Sequence, residues 1–228
     1  MREDLLPGVA TRDVMRMFFG VLGPLVVVIV VLAIFGGDVV TNPALYVAKD
    51  YLYVAVIGAG IYLFGIRTGA TRADFGLRRC AFHWLVGAAL LGILLFAAHL
   101  LSDAIYRTIG VTGLLLEPRR SDGIILVTGT SKSLAIAASV SIIVLTPIAV
   151  ELFVRGILFS WLRRNLDFFL SALASSIIFG VIHIEIVRYG QVVVFGLFAA
   201  WVYERTNSLW PVIVLHIVVN AAYWLSLN

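Results

Sequence analysis

Seven apolar stretches, near residues 17–35, 51–66, 84–101, 134–162, 168–187, 190–204 and 208–227, take up most of this 228-residue sequence. A helix needs roughly 20 predominantly apolar residues to cross the hydrocarbon of a bilayer, so each stretch is a candidate span. The composition agrees: 61% of residues are hydrophobic and 13% charged, and a mean hydropathy of +1.04 lies well above that of soluble domains. The expected fold is therefore an all-α polytopic membrane protein, a bundle of seven to eight transmembrane helices. The first stretch, MFFGVLGPLVVVIVVLAIF, exceeds a signal-peptide core and runs into GGDVVTN without a small-x-small cleavage pattern, so it is read as a retained helix. The connection 102–133 is the longest, and its GLLL and IILV pieces are where an eighth element fits.

With no low-complexity linker and no internal repeat, one domain over residues 1–228 is expected, its motif-bearing core at about 134–227. The net charge of +4 comes from arginines at helix ends, which suits anionic headgroups and argues against a nucleic-acid partner. One face collects Arg2, Arg12, Arg16, Arg67, Arg72, Arg78, Arg79, Arg163, Arg164 and Arg205. The other collects Lys49, Arg107, Arg119, Arg120, Lys132 and Arg188. The first set is the larger, so a protein of the cytoplasmic membrane with its N-terminus on the cytoplasmic side is expected. The lone Cys80 excludes an intramolecular disulfide and is read as a packing residue.

Against this apolar background, TPIAVELFVRGILF at 146–159 places Glu151 and Arg155 in mid-span. A charge at the bilayer centre costs at least ~2.5–3.5 kcal/mol on insertion scales, so such groups are functional candidates facing the bundle interior. Their i, i+4 spacing puts them on one helix face at ion-pair distance. A structural clamp explains these two alone as well as catalysis does. Further on, His183 ends the run IIFGVIH, and His216 and Asn220 share a face in LWPVIVLHIVVN. A single histidine in an apolar helix is more often a packing residue than a ligand or base. Five polar groups on three helices are cheapest in lipid when turned toward one another around a small wet cavity. His83 and His99 are read as helix-end residues facing headgroups or water.

A carboxylate and an imidazole can polarise water, while a second imidazole and an amide can donate to the oxyanion formed at a peptide carbonyl. The same inventory fits a catalytic zinc with an open position. An ion or proton relay is a third use, but no pair of broken helices in matching halves supports it.

The order E-x-x-x-R-G, F-x-x-x-H and H-x-x-x-N on successive late helices resembles the CPBP family of CAAX prenyl proteases and bacteriocin-processing enzymes, also called the abortive-infection family. ADFGLRR at 73–79 and YERTNSLWPVIVLH at 203–216 are similar to that family's accessory segments. The resemblance runs from about residue 73 to 224. It implies an all-helical intramembrane endopeptidase acting on membrane-anchored peptides. In family terms the first motif reads E-E-x-x-x-R, with the first glutamate as general base beside the histidine matching His183. His216 and Asn220 then match the oxyanion pair, and Glu151 and Arg155 the supporting pair. The position of the first glutamate is Val150, which can neither accept a proton nor orient water. The resemblance thus implies an impaired hydrolase without a bound cofactor, zinc being the runner-up. The competing class is a non-catalytic membrane protein, such as a peptide-binding, chaperone or immunity factor.

Overall fold

A computed structural model describes residues 11–108, 125, 127–183 and 189–227; within these, the side chains at 25, 28–41, 107, 182, 183 and 189 lie outside the description. Among the described residues seven long helices form: α1 Thr11–Thr41, α2 Pro43–Phe64, α3 Phe82–Thr108, α4 Lys132–Asn165, α5 Phe168–His183, α6 Tyr189–Thr206 and α7 Leu209–Ser226. The chain is an all-α polytopic membrane protein. Four segments are long and apolar enough to cross a bilayer, namely Pro43–Thr68, Phe82–Tyr106, Lys132–Asn165 and Leu209–Ser226. Phe168–Val181 is a shorter apolar helix. Of the connection expected to hold an eighth element, residues 127–130 are helical, and most of the rest lies outside the described residues.

Helix α1 runs through GGDVVT instead of ending near residue 35. Its stop is chemical: the Asn42 side chain accepts from the Ala44 and Leu45 N–H groups, and Pro43 stands at the first position of α2. An N-cap oxygen followed by proline starts a new helix there and so ends the old one.

Helices α1 with α2, α3 with α7, and α5 with α6 pair most extensively, and α4 touches α1, α2, α5, α6 and α7. This central place explains why Phe153, Val154, Ile157 and Phe159 are fully or almost fully buried. The lipid side is equally legible on α3, where Leu90, Ile93, Leu94 and Leu101 are exposed.

Helix α4 is not uniform. It is π-helical over Ser141–Leu145 and again over Leu152–Phe159, on either side of the α-helical turn Thr146–Glu151. Pro147 has no N–H to give to the carbonyl four residues back and its ring crowds that carbonyl, so the helix widens just upstream. Nothing comparable marks the second π stretch. Short π segments inside α-helices are frequently found at functional sites.

The ADFGLRR segment lies beneath α4 and α7. The Leu209 N–H donates to Gly76 O at 2.8 Å, and Ser208 Oγ donates to Arg78 O at 2.6 Å. Gly76 has φ +77°, and a Cβ there would sit 2.4 Å from the Tyr203 hydroxyl. Only glycine meets both conditions cheaply. At the same end, Arg163 of α4 makes a two-pronged contact with Glu204 of α6 at 2.9 and 3.2 Å.

Candidate active site

Glu151 lies between the two π segments, where the rotation of α4 turns it inward. Its Oε1 is 2.7 Å from His216 Nδ1 on α7. Arg155 Nη1 donates to Oε1 at 3.2 Å and lies 3.0 Å from Oε2. Both Glu151 and Arg155 are 0% exposed. Arg155 also donates through Nη2 to Gly196 O of α6 at 3.1 Å. Here α6 also packs closely on α5: a Cβ at Gly196 would stand 2.6 Å from Ser176 Oγ and 3.1 Å from its Cα.

Two phenylalanines complete the support. The Arg155 guanidinium lies over the Phe179 ring at 4.5 Å, a cation–π contact that strengthens when desolvated. His216 meets Phe179 and Phe195 edge-on at 5.8 and 4.9 Å. The imidazole is therefore fixed by a carboxylate on one side and aromatic faces on others. A carboxylate accepting the Nδ1 proton leaves the lone pair of a neutral ring on Nε2.

One turn on, Asn220 Nδ2 donates to Ile142 O at 2.8 Å, within the first π segment of α4. An amide nitrogen carries two N–H groups, and this bond uses one of them. His216 and Asn220 both line a cavity of about 430 Å³ walled by residues of α3, α5, α6 and α7. This lies within the roughly 300–1,000 Å³ range of small-ligand sites.

The expectation that five polar groups share this wall is corrected in part. Glu151 and Arg155 are absent from the lining; they are buried behind His216, because pairing with each other and with the imidazole is how two charges survive away from water. Val150 is 1% exposed, within the main apolar core. His183 ends α5, but its side chain lies outside the described residues, as do residues 184–188 that follow.

Sequence reasoning missed His99. It is not a helix-end residue facing headgroups: α3 continues to Thr108, and the imidazole lies in the cavity wall beside Ser102, Gln191 and Tyr223. The signal that could have found it is its i, i+4 spacing to Asp103, a second acid–imidazole pair in an apolar helix. Among the described residues no three His, Cys, Asp or Glu side chains gather in a metal-binding group.

Comparison with known proteins bears on the same helices. Residues 132–222 match the family model for type II CAAX prenyl endopeptidase, Rce1-like. The chain is 34% identical over 74 residues to a Bacillus subtilis (strain 168) protein named "Putative membrane peptidase YdiL". The aligned stretch covers 32% of this chain and 30% of that relative, so under a third of the relative's length is represented. No solved structure matches the chain.

Proposed function

From the match of residues 132–222 to the Rce1-like family model, we propose that this chain is an intramembrane endopeptidase that hydrolyses apolar, membrane-anchored peptides, and that it works slowly as written. The observation that carries the reading is the 2.7 Å Glu151–His216 contact at the edge of a cavity that His216 and Asn220 line. Water attacks the peptide carbonyl carbon and gives up a proton to a base. The oxyanion accepts from Asn220 Nδ2, and the proton then passes to the leaving amine. Slowness follows from Val150: where the family places its first glutamate, this chain has a buried methyl-bearing side chain.

The short Glu151 contact favours a second reading, in which His216 itself is the base. Glu151 would orient the ring and stabilise the imidazolium that forms, as a buried carboxylate does in hydrolases with a histidine base. Neither reading needs a metal. The carboxylate a zinc ion would take is already committed to Arg155 and His216, and the guanidinium opposes a dication. We place the N-terminus on the cytoplasmic side, with the bilayer and an apolar peptide as partners.

The test is cleavage of a membrane-anchored peptide in liposomes by the parent chain, Val150→Glu and Glu151→Gln, each checked for thermal stability. A positioned base contributes about 10²–10⁴-fold, so the expected result is that Val150→Glu raises kcat by a factor in that range. Equal rates for parent and Val150→Glu, with Glu151→Gln abolishing cleavage, would transfer the base role to His216. Absence of cleavage in every variant would overturn proteolysis and leave peptide binding.

A further inference from the structure

The cavity has a second polar wall that neither catalytic reading uses. On α3, His99 Nδ1 lies 2.5 Å from Gln191 Oε1 of α6, and His99 Nε2 lies 3.5 Å from Asp103 Oδ2. Gln191 Nε2 also bonds to Ser102 Oγ. The imidazole meets the Tyr223 ring of α7 edge-on at 5.9 Å. His99, Ser102 and Gln191 face the same space as His216 and Asn220, and most of the remaining lining is apolar, including Leu95, Phe96 and Val194.

Polar side chains at membrane depth are expensive and normally face an interior cavity with a task there. A peptide bond can be attacked only where it is not locked in a helix, and an extended backbone in hydrocarbon leaves N–H and C=O groups that must find partners. An extended strand sends its side chains alternately to two faces, while its amide groups point along a third direction. A cavity whose mostly apolar lining carries polar groups from α3, α6 and α7 suits that division. One pair, His216 with Asn220, is where the scissile carbonyl belongs; the groups on α3 and α6 are available to amide groups further along the same segment.

We propose that Gln191 and Ser102, held in place by His99, hydrogen-bond the backbone of an extended, apolar peptide in this cavity. Asp103 acts through His99, as a positioning residue that fixes the ring. The inference rests on the endopeptidase reading for the identity of the ligand, but its test does not require turnover.

The full chain is reconstituted in phosphatidylcholine–phosphatidylglycerol vesicles with a lysine-flanked Leu/Ala transmembrane peptide carrying one photoreactive leucine at its centre. Crosslinks are mapped by mass spectrometry as a function of peptide concentration. Parent protein crosslinks on the cavity faces of α3, α6 or α7. His99→Leu, which releases Gln191, raises the half-saturating peptide concentration by about tenfold, the effect of losing one well-placed hydrogen bond. His99→Gln, which keeps a donor and an acceptor, stays within about threefold of the parent. The proposal is overturned if parent protein gives no cavity crosslink, if His99→Leu binds like the parent, or if His99→Leu and His99→Gln fail alike. The last result would make the network a tie between α3 and α6 only. Binding through His99 without cleavage by any variant would instead overturn the protease reading and leave this site standing.

Discussion

At the scale of single residues, the arrangement around Glu151 is a closed set of obligations. The carboxylate answers both Arg155 and His216, and all three side chains are buried. Removing one member of such a set strands a charge, which typically costs about 3–5 kcal/mol, whereas replacing the pair with well-packed apolar groups is often neutral. Arg155→Leu is therefore expected to lower stability by about that amount, and Glu151→Leu with Arg155→Leu to lower it less than Arg155→Leu alone. Thermal unfolding of the parent and the two variants in one detergent decides; a double variant less stable than Arg155→Leu would mean that the pair is not coupled in this way. The donor chemistry also sets an expectation for metal. Purified protein should carry far less than stoichiometric zinc, and chelation should leave the activity of Val150→Glu unchanged; elemental analysis and an assay with chelator check both. Glu151 with Arg155, and His216 with Asn220, could be read from i, i+4 spacing within one helix. The bond between Glu151 and His216 could not, because it joins positions 65 apart through a helix crossing that no local pattern encodes.

Among the elements, α4 carries the site and α6 sets its depth. Gly196 joins α6 both to the charge network and to α5, since its carbonyl accepts from Arg155 while its missing Cβ leaves room for Ser176. The obstacle to a side chain there includes Ser176 backbone as well as its hydroxyl, so rotation of one group does not relieve it. Overpacking of this kind costs about 1–3 kcal/mol. Gly196→Ala should lose that much stability and reduce cleavage by Val150→Glu as well, because moving α6 withdraws an acceptor from Arg155. Unchanged unfolding temperature and unchanged activity in Gly196→Ala would show that α5 and α6 separate freely. The helices themselves were legible from apolar runs of membrane length, with ends off by up to eight residues. The π segments were not, although Pro147 is a reason to expect distortion on its upstream side. His99 escaped for a related reason: the apolar run ends near 101, yet helix α3 continues through SDAIYRT to Thr108, so a residue that looked terminal is interior.

For the whole molecule, the open variable is direction across the bilayer, and the chain contains its own reporter. Cys80 is the single cysteine of the sequence, partly exposed in the segment between α2 and α3. That segment also holds Arg67, Arg72, Arg78 and Arg79, while Arg12 and Arg16 stand at the start of α1. On the opposite side, the junction of α1 and α2 offers Lys49, already paired with Asp50 at 3.0 Å. Short loops rich in arginine and lysine stay on the cytoplasmic side, and acidic residues contribute little to that choice. The α1–α2 hairpin returns the chain to the side on which it began, so Cys80 and the N-terminus share a compartment whichever way the pair inserts. The expected outcome is that a membrane-impermeant maleimide fails to label Cys80 in intact cells or right-side-out vesicles, and labels it in inverted vesicles. Labelling from outside only would reverse the orientation of α1 to α3, and with it the side from which the ADFGLRR segment supports α4 and α7.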